Sequence, residues 1–473
     1  MGETDDTRRL IVTVQTTIDP TVAVDALRSR VRGAVIAPGD ADYDAARTIV
    51  YGGFDGRPAA IARVADAGDI GAVLAVARES GLELAVRSGG HSGAAHSSTN
   101  GGIVLDVRDL RDLEIDVEGR TGWVGSGLTA GDVTTALAEH GLAIGFGDTG
   151  SVGLGGLVLG GGVGYLVRKH GLTIDNLLAA EIVTADGELH RVDADHEPDL
   201  FWAIRGGGGN LGVATRFRFR LQELRGIVGG ILVLPATAES VAGFVAAADA
   251  APEELSTIGN VMNCPPMPFV PEEHHGKVVI LAMMCWAGDA ESGETALAPF
   301  RALAEPLADL VHPSGYPEMF PPEDDSYHPT ASSRTLFMDR IGPEEAALMV
   351  DRLTASDASL RVAQIRVLGG AMARVPVDAT AFAHRESRIM VNVAAFWEGE
   401  DDRVVKEAWV DRFAADLRQE DHGAYVNFLV DQGEAGVRSA YPGATWDRLA
   451  AIKGRYDPEN LFRRNQNIPP AAR

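Results

Sequence analysis

The stretch that decides the fold reads Val86-Arg87-Ser88-Gly89-Gly90-His91-Ser92-Gly93. It follows hydrophobic residues at Leu82 and Leu84, which predict a short strand that ends at two consecutive glycines. Because glycine has no side chain, such a turn exposes backbone N–H groups that can hold an anion, usually a phosphate. Arg87 can add a fork of charge-assisted hydrogen bonds to that anion. The alternative is an ordinary tight turn with a histidine at the surface.

Two further loops are rich in glycine. The first reads Gly-Phe-Gly-Asp-Thr-Gly-Ser-Val-Gly-Leu-Gly-Gly over residues 145–156 and continues with more glycines over 160–164. The other, Arg-Gly-Gly-Gly-Gly-Asn over residues 205–210, precedes a predicted strand over 213–221. Spaced loops of this kind in one chain indicate a long, folded cofactor that is held at several points, with His91 beside its body.

Two segments, residues 145–150 and 207–212, fit the spacing Gly-x-Gly-x-x-Gly. In a dinucleotide-binding fold, this fingerprint directly follows a strand, opens a helix and precedes an acidic residue by about 20 positions. Here Gly145 follows a predicted helix and turn, and Gly212 leads into a strand. The sequence therefore disfavours a nicotinamide-dinucleotide domain.

Further motifs occur in a fixed order along the chain. They comprise residues 87–92, 101–106, 151–156, 160–164, 172–176, 200–208, 210–213, 425–427, 456–462 and 465–467. In this order they resemble the berberine-bridge-enzyme-like FAD-linked oxidases. The resemblance covers about residues 30–473, and several ordered motifs are far more specific than any single one.

The resemblance implies an α+β fold. We expect a two-lobed FAD-binding domain of the PCMH type and a substrate domain whose antiparallel sheet is covered by helices. The expected divisions are an N-terminal segment (1–35), the FAD-binding domain (36–222), the substrate-binding domain (223–432) and a C-terminal segment that returns to the FAD-binding domain (433–473). Composition agrees, because near Leu224 the glycine loops stop and strand-like and helix-like segments begin to alternate.

Local patterns predict individual elements. A helix is expected over residues 22–31, another over 69–80 with Asp69 as N-cap and Gly81 after its end, and a third over 130–139 capped by Thr129. In the second half we expect strands over 229–234, 278–286, 361–368 and 389–397. Helices are expected there over 238–250, 294–307, 343–354, 404–418 and 446–456.

The resemblance also implies the cofactor and its attachment. FAD would be bonded through its 8α-methyl group to His91, because a neutral imidazole can attack that methyl once flavin tautomerisation makes it electrophilic. The alternative is a non-covalent His91 that only contacts the ring edge. Many family members carry a second, cysteinyl tether, but Thr149 occupies that position here, so we expect a single tether. Gly147 occupies the family's oxygen-gating position and leaves room for O2; alternatively, it only allows a tight turn.

The resulting set of candidate residues is large. The expected cofactor-binding residues are Val86, Arg87, Ser88, Gly89, Gly90, His91, Ser92, Gly147, Thr149, Gly150, Ser151, Gly153, Gly155, Gly156, Gly160, Gly164, Gly212, Val213, Asn465 and Asn467. The expected catalytic residues are Tyr425, as the base, and Asn427, which stand two apart on a predicted strand and would share a face. A tyrosine has a free pKa of about 10, so it needs a nearby cation or oriented donors to act as a base near pH 7.

Other polar residues are weaker candidates for the pocket. Gln364, Arg366 and Asn392 fall on predicted strands of the second half. The alternative is that each simply belongs to the polar face of its strand. His384 and His328 belong to no motif and are expected to be structural or exposed. The alternative for Tyr425 is a buried, purely structural phenol whose O–H donates to a backbone carbonyl.

These residues predict an oxidase. A hydride would pass from a C–H next to oxygen or nitrogen of an alcohol, sugar or amine to the flavin, and O2 would reoxidise the flavin and give H2O2. One alternative is a dehydrogenase with another electron acceptor. The other is a flavoprotein that only binds a small molecule.

Composition limits the partners and the location. The formal net charge of −25 argues against nucleic-acid and anionic-membrane partners, because phosphates would be repelled. Only four of the 42 basic residues are lysine, which is typical of a salt-adapted protein or of a GC-rich genome. Cys264 and Cys285 are expected to be core thiols without metal-ligand spacing. Residues 1–9 lack the pattern of an export signal and no apolar run is long enough for a membrane span, so we expect a cytoplasmic monomer or homodimer.

Overall fold

The computed structural model describes residues 19–324 and 326–471; the prediction about an export signal in residues 1–9 lies outside them. The first lobe carries a small sheet in the order β1-β2-β4-β3, in which β2, β4 and β3 are parallel. Its elements are α1 (Pro20–Arg30), β1 (Val35–Ile36), α2 (Tyr43–Arg47), β2 (Ala60–Arg63), α3 (Ala67–Ser80), β3 (Leu84–Arg87) and β4 (Ile103–Asp106).

The second lobe is built on an antiparallel sheet in the order β5-β6-β10-β8-β9. Its elements are β5 (Leu113–Asp116), β6 (Thr121–Gly125), α4 (Ala130–Ala138), β7 (Leu142–Ala143), α5 (Leu154–Gly160), α6 (Val167–His170), β8 (Leu177–Val183), β9 (Leu189–Asp193), α7 (Pro198–Ile204), β10 (Val213–Arg220) and β11 (Gln222–Glu223). Thr129 caps α4 as predicted, in a reciprocal capping box with Asp132.

A large antiparallel sheet follows, in the order β15-β12-β14-β13-β18-β19-β17, with β16 also on β12. The elements are β12 (Ile227–Pro235), α8 (Ala238–Ala250), β13 (Leu255–Asn263), β14 (Val278–Trp286), α9 (Ala290–Arg301), β15 (Ala308–Asp309), β16 (His312–Ser314), β17 (Ala331–Met338), α10 (Pro343–Ala355), β18 (Arg361–Val367), α11 (Ala371–Arg374), β19 (Ile389–Phe396) and α12 (Glu400–Leu417). Helices α8, α9, α10 and α12 share one apolar core with this sheet. The predicted α+β fold, with two smaller lobes and a large antiparallel sheet covered by helices, is confirmed.

The C-terminal segment contains α13 (Gly433–Ala440) and α14 (Ala444–Tyr456) and packs on both glycine-rich lobes. Tyr441, Trp446 and Ile468 lie in the core of the second lobe. Phe462 lies in the core of the first lobe. The end of the chain therefore closes over the region where the glycine loops meet.

Several local predictions differ from the structure, among them the helix expected over residues 294–307, which spans Ala290–Arg301. Asp69 is not the N-cap of α3, because the helix begins one turn earlier and Asp66 accepts the cap hydrogen bond from the Asp69 N–H. Asp69 is instead buried, and its carboxylate accepts from the backbone N–H groups of Arg32, Gly33 and Ala65. Strands β13 and β17 were not expected, because buried polar residues interrupt their apolar pattern.

Both cysteines agree with the sequence prediction. Cys264 and Cys285 are both buried free thiols. Among the residues that the structure describes, no helix combines the length and the apolar character that crossing a bilayer would demand.

One partly buried histidine makes the fold sensitive to acid. Burial lowers the pKa of His170 to about 4, whereas the unfolded chain takes up this proton below about pH 6.5. Stability is therefore lost as the pH falls from about 6.5 to about 4, by on the order of 2 kcal/mol. We expect His170→Gln to flatten this part of the profile, measured as urea midpoints at pH 7 and pH 4.5. His140→Gln, at an exposed position, is the control, and an equal effect of both variants would contradict the assignment.

Candidate active site

A cleft of about 550 Å³ lies where the two lobes, the large sheet and the C-terminal segment meet. Most of the predicted cofactor-binding residues line it. These are Val86, Ser88, Gly89, Gly90, His91, Ser92, Gly147, Thr149, Gly153, Gly155, Gly156, Gly212, Val213 and Asn465. The predicted catalytic residues Tyr425 and Asn427 line the same cleft.

The opening loop and the second glycine stretch touch each other backbone to backbone. A Cβ atom on Gly89 would collide with Gly153, and one on Gly153 would collide with Gly89. Ser88 fixes this contact, since its Oγ donates to the Ser126 carbonyl at 2.8 Å and accepts from the Gly155 N–H at 3.3 Å. Gly90 has a φ of +76°, which favours glycine. Glycine is therefore needed here for close approach as well as for the turn.

Arg87 does not line the cleft. The parallel register places it opposite Asp106, and its Nε donates to the Asp106 carboxylate at 2.9 Å while an Nη donates to the Ala46 carbonyl at 2.6 Å. Both side chains are fully buried. Because the Arg87 guanidinium makes these bonds, it stabilises the loop instead of holding an anion.

Five other predicted cofactor residues lie outside the cleft lining, namely Gly150, Ser151, Gly160, Gly164 and Asn467. Gly160 and Gly164 are packing positions, where a Cβ atom would collide with Asn427 and with the Phe146 carbonyl. Asn467 accepts from Lys453 Nζ at 3.2 Å, which joins the end of the chain to α14. Ser151 contacts His91 directly.

His91 faces the cleft and is partly buried. Its Nε2 lies 2.9 Å from Ser151 Oγ. Burial lowers the pKa of His91, against the opposing charge of Glu323. The imidazole is therefore held neutral at pH 7, which is the form that can act as a nucleophile.

Tyr425 and Asn427 meet as predicted, but not on a strand. Tyr425 precedes a 3-10 turn, Val426–Phe428, which brings Asn427 Nδ2 to 3.0 Å from the phenol oxygen. The Gly162 N–H donates to the same oxygen at 2.9 Å. Burial raises the pKa of Tyr425, and these two donors oppose that rise. The phenol thus accepts two N–H donors, instead of being satisfied by a carbonyl.

The large sheet contributes the opposite wall. Gln364, Arg366 and Asn392 all line the cleft, and Arg366 also bonds across to the glycine stretch at Asp148, at 2.6 Å. His384 and His328 do not line it: His384 bonds to the Ala440 carbonyl, and His328 is exposed.

Sequence reasoning missed several cleft residues. They are Tyr51, His96, Ser97, Gly208, Gly209, Asn210, Arg464 and Gln466. The third glycine loop already signalled Gly208–Asn210, the short helical turn that comes just before β10. Gln466 lies within the 465–467 motif, whereas His96 carried no motif that could have marked it.

The comparisons with known proteins identify this architecture. Residues 58–193 match the family described as FAD binding domain, and residues 424–469 match the one described as berberine and berberine like. The (R)-6-hydroxynicotine oxidase of Paenarthrobacter nicotinovorans is 32% identical over 93% of this chain and 97% of its own length.

Solved structures agree with the sequence relatives. The 6-hydroxy-D-nicotine oxidase of Arthrobacter nicotinovorans has a TM-score of 0.81 at 28% identity, and the match covers 93% of this chain and 98% of that one. The xylooligosaccharide oxidase of Myceliophthora thermophila has a TM-score of 0.82 at 26% identity, with 95% and 100% covered. The chain belongs to the berberine-bridge-enzyme-like family of FAD-linked oxidases, and it is an FAD-dependent oxidoreductase.

The cleft suits FAD on its own chemistry. Within the described part of the chain, several buried polar atoms at its wall have no hydrogen-bond partner: both ring nitrogens of His96, Ser97 Oγ, Asn392 Oδ1 and Asn465 Oδ1. Buried polar groups are normally paired, and a molecule with hydroxyl, phosphate and ring nitrogen groups offers such partners. At Gly156 a Cβ atom would meet open space, so the bare backbone borders a void.

Proposed function

We propose that this enzyme oxidises a small alcohol or amine and passes the electrons to O2 to give H2O2. The observation that carries the proposal is that the glycine loops, His91 and Tyr425 converge on one cleft. Relatives are named for oxidising hydroxynicotine and xylooligosaccharides. The apolar residues Ala331, Ala394 and Phe396 on the sheet wall support a compact substrate over an oligosaccharide, as does the absence of a cysteinyl tether at Thr149.

The chain's own residues act on the substrate's proton. FAD, when bound, supplies the hydride acceptor. Tyr425 exchanges the proton of the substrate O–H or N–H, and the Gly162 N–H and Asn427 Nδ2 stabilise negative charge on its oxygen. Asn427 is itself fixed, because its Nδ2 also donates to the Leu157 carbonyl at 3.1 Å.

Gly147 supports O2 as the electron acceptor. It lines the cleft, and within the described part of the chain a Cβ atom there would meet Leu157 Cδ1 alone, at 3.5 Å. The test is anaerobic mixing with panels of alcohols, amines and sugars until the flavin band fades, followed by admission of O2. Rapid return of the band with stoichiometric H2O2 is expected. Return only with an artificial acceptor would identify a dehydrogenase, and no fading with any panel would favour a binding protein.

The covalent attachment of FAD through His91 is part of the same proposal. We expect acid precipitation of the purified protein to leave the yellow colour in the pellet, and His91→Ala to release it completely. The His96→Ala protein is the matched control, because His96 lines the same cleft and is expected to keep acid-stable flavin. A yellow pellet from His91→Ala would disprove this tether.

Salt adaptation and a cytoplasmic location also belong to the proposal. The net charge of −25 with only four lysines supports a protein whose carboxylates repel one another in dilute buffer. We expect the unfolding temperature to rise by several degrees from dilute buffer to molar KCl, measured by calorimetry. An unfolding temperature that stays constant or falls would indicate that the excess of arginine over lysine reflects genome composition and not salt adaptation.

A further inference from the structure

A short hydrogen-bonded chain leads from His91 out to solvent. Its first link joins His91 Nε2 to Ser151 Oγ at 2.9 Å. Its second link joins Ser151 Oγ to Glu323 Oε2 at 2.7 Å. The Ser151 N–H also donates to Glu323 Oε1 at 3.1 Å, so the carboxylate accepts two hydrogen bonds from Ser151. Glu323 is exposed and lies on the loop between the Tyr316–Met319 turn and β17.

The chemistry of the outer end fixes the direction of every bond in this chain. An exposed, ionised carboxylate has no proton and can only accept. Ser151 must therefore donate its single hydroxyl proton to Glu323. Its oxygen can then only accept a hydrogen bond from His91. It follows that Nε2 of His91 carries the ring proton.

The other ring nitrogen is then the free one. In a neutral imidazole with its proton on Nε2, Nδ1 holds a lone pair. Within residues 19–324 and 326–471, no hydrogen bond occupies His91 Nδ1, and the side chain borders the cleft. The lone pair is thus available to an electrophile in the cleft.

We propose that Ser151 and Glu323 are positioning residues for flavin attachment: they set the tautomer of His91, direct the new bond to Nδ1 and carry away the Nε2 proton. This inference rests on the proposed covalent link at His91. It assigns to two residues outside the cleft lining a role in modifying the protein rather than in turning over substrate.

The attachment step balances as follows. A C–H bond at the 8α carbon breaks as a proton leaves, the bond between Nδ1 and that carbon forms, and the two electrons remain in the flavin ring, which is thereby reduced. The imidazole would then carry a positive charge, which it loses when Nε2 passes its proton to Ser151 Oγ and Ser151 passes its own to Glu323. The reduced ring takes up two protons from solvent, and O2 reoxidises it with formation of H2O2.

The rate of flavin attachment tests the role of the hydrogen bonds from His91 through Ser151 to Glu323. Apoprotein from riboflavin-starved cells is mixed with FAD, and acid-precipitable flavin is measured over time. We expect Ser151→Ala to slow attachment by on the order of 100-fold, the lower range for positioned proton transfer. Glu323→Gln should also slow it, because an amide can donate to Ser151 and cannot take up the proton. Ser151→Thr keeps the hydroxyl and should retain most of the rate.

The matched control is Asp324→Asn, which removes an exposed carboxylate one residue away that bonds only to Ser326 among the described residues. It should attach flavin at the wild-type rate. Non-covalent FAD binding, followed by quenching of flavin fluorescence, should be unchanged in all variants and shows that each is folded.

The position of the bond provides a second readout. NMR of the flavin-bearing peptide from a digest of the wild-type protein should show linkage at Nδ1. Linkage at Nε2, or an unchanged attachment rate in Ser151→Ala, overturns the inference while the His91 tether stands. A wild-type protein without any covalent flavin overturns the tether and this inference together.

Discussion

Replacing Tyr425 by phenylalanine is expected to lower kcat by about 100-fold or more, the usual range for loss of a positioned proton-transfer group. The phenol oxygen accepts from the Gly162 N–H and from Asn427 Nδ2, so its own O–H is left to exchange with the substrate. The variant should bind FAD normally and keep the flavin spectrum. The measurement is the rate of anaerobic flavin reduction in stopped flow, which isolates the hydride step from reoxidation.

The matched control is Tyr441→Phe. This tyrosine is equally buried, and its hydroxyl donates to the Gly206 carbonyl at 3.1 Å, outside the cleft lining. It should lose about 1 kcal/mol of stability and no reduction rate. Similar reduction rates in wild type and Tyr425→Phe would leave Tyr425 without a catalytic role.

The pH profile gives an independent check on Tyr425. Burial raises its pKa above the ordinary value of about 10, so the deprotonated base is scarce at neutral pH. If Tyr425 is the base, kcat/KM rises with pH throughout the range from 7 to 9, and this rise disappears in Tyr425→Phe. A profile that is flat over this range would indicate that Tyr425 only donates a hydrogen bond.

Replacing Lys453 by methionine is expected to destabilise the C-terminal segment by about 3–5 kcal/mol, the typical cost of breaking a buried ion pair. Lys453 and Asp457 are both fully buried, 3.5 Å apart. Lys453 Nζ also donates to the Phe462 carbonyl at 2.8 Å. Without the ammonium, Asp457 keeps, among the residues that the structure describes, the N–H donors of Leu461 and Phe462 alone. Urea unfolding and limited proteolysis after residue 456 measure the effect.

The same substitution at Lys406 is the control. Lys406 is also buried, but the side chains of its partners Asp357 and Asp402 are 87% and 35% exposed, so both carboxylates reach solvent when the lysine is lost. We expect Lys406→Met to cost about 1 kcal/mol or less. FAD affinity should fall in Lys453→Met alone, because the segment that Lys453 anchors also brings Asn465 and Gln466 to the cleft. Equal stability of the two variants would contradict this account.

Local signals were enough to predict much of the fold. Glycines without side chains mark the loops, and Thr129 marks the start of α4. The patterns failed where residues distant in sequence decide the structure. The unexpected strands β13 and β17 carry Asn260 and Thr335, which lie in one row across the large sheet with Gln364 and Asn392.

In the candidate site, too, local features were predictable and contacts between distant parts of the chain were not. Glycines that allow close approach were predictable, but their sequence does not say whether the approaching group is a ligand or another part of the chain. Gly160 meets Asn427, and Gly164 meets the Phe146 carbonyl. Arg87 was expected to hold an anion because its partner, Asp106, becomes a neighbour only through the register of β3 and β4.

The return of the C-terminal segment has a consequence for how the protein is made. The cleft needs Val86 and Gly153 from early in the chain and Gln466 from near its end. A growing polypeptide therefore cannot finish the cleft until residue 466 has emerged from the ribosome. Capture of the cofactor by the complete cleft therefore follows synthesis of the chain through residue 466.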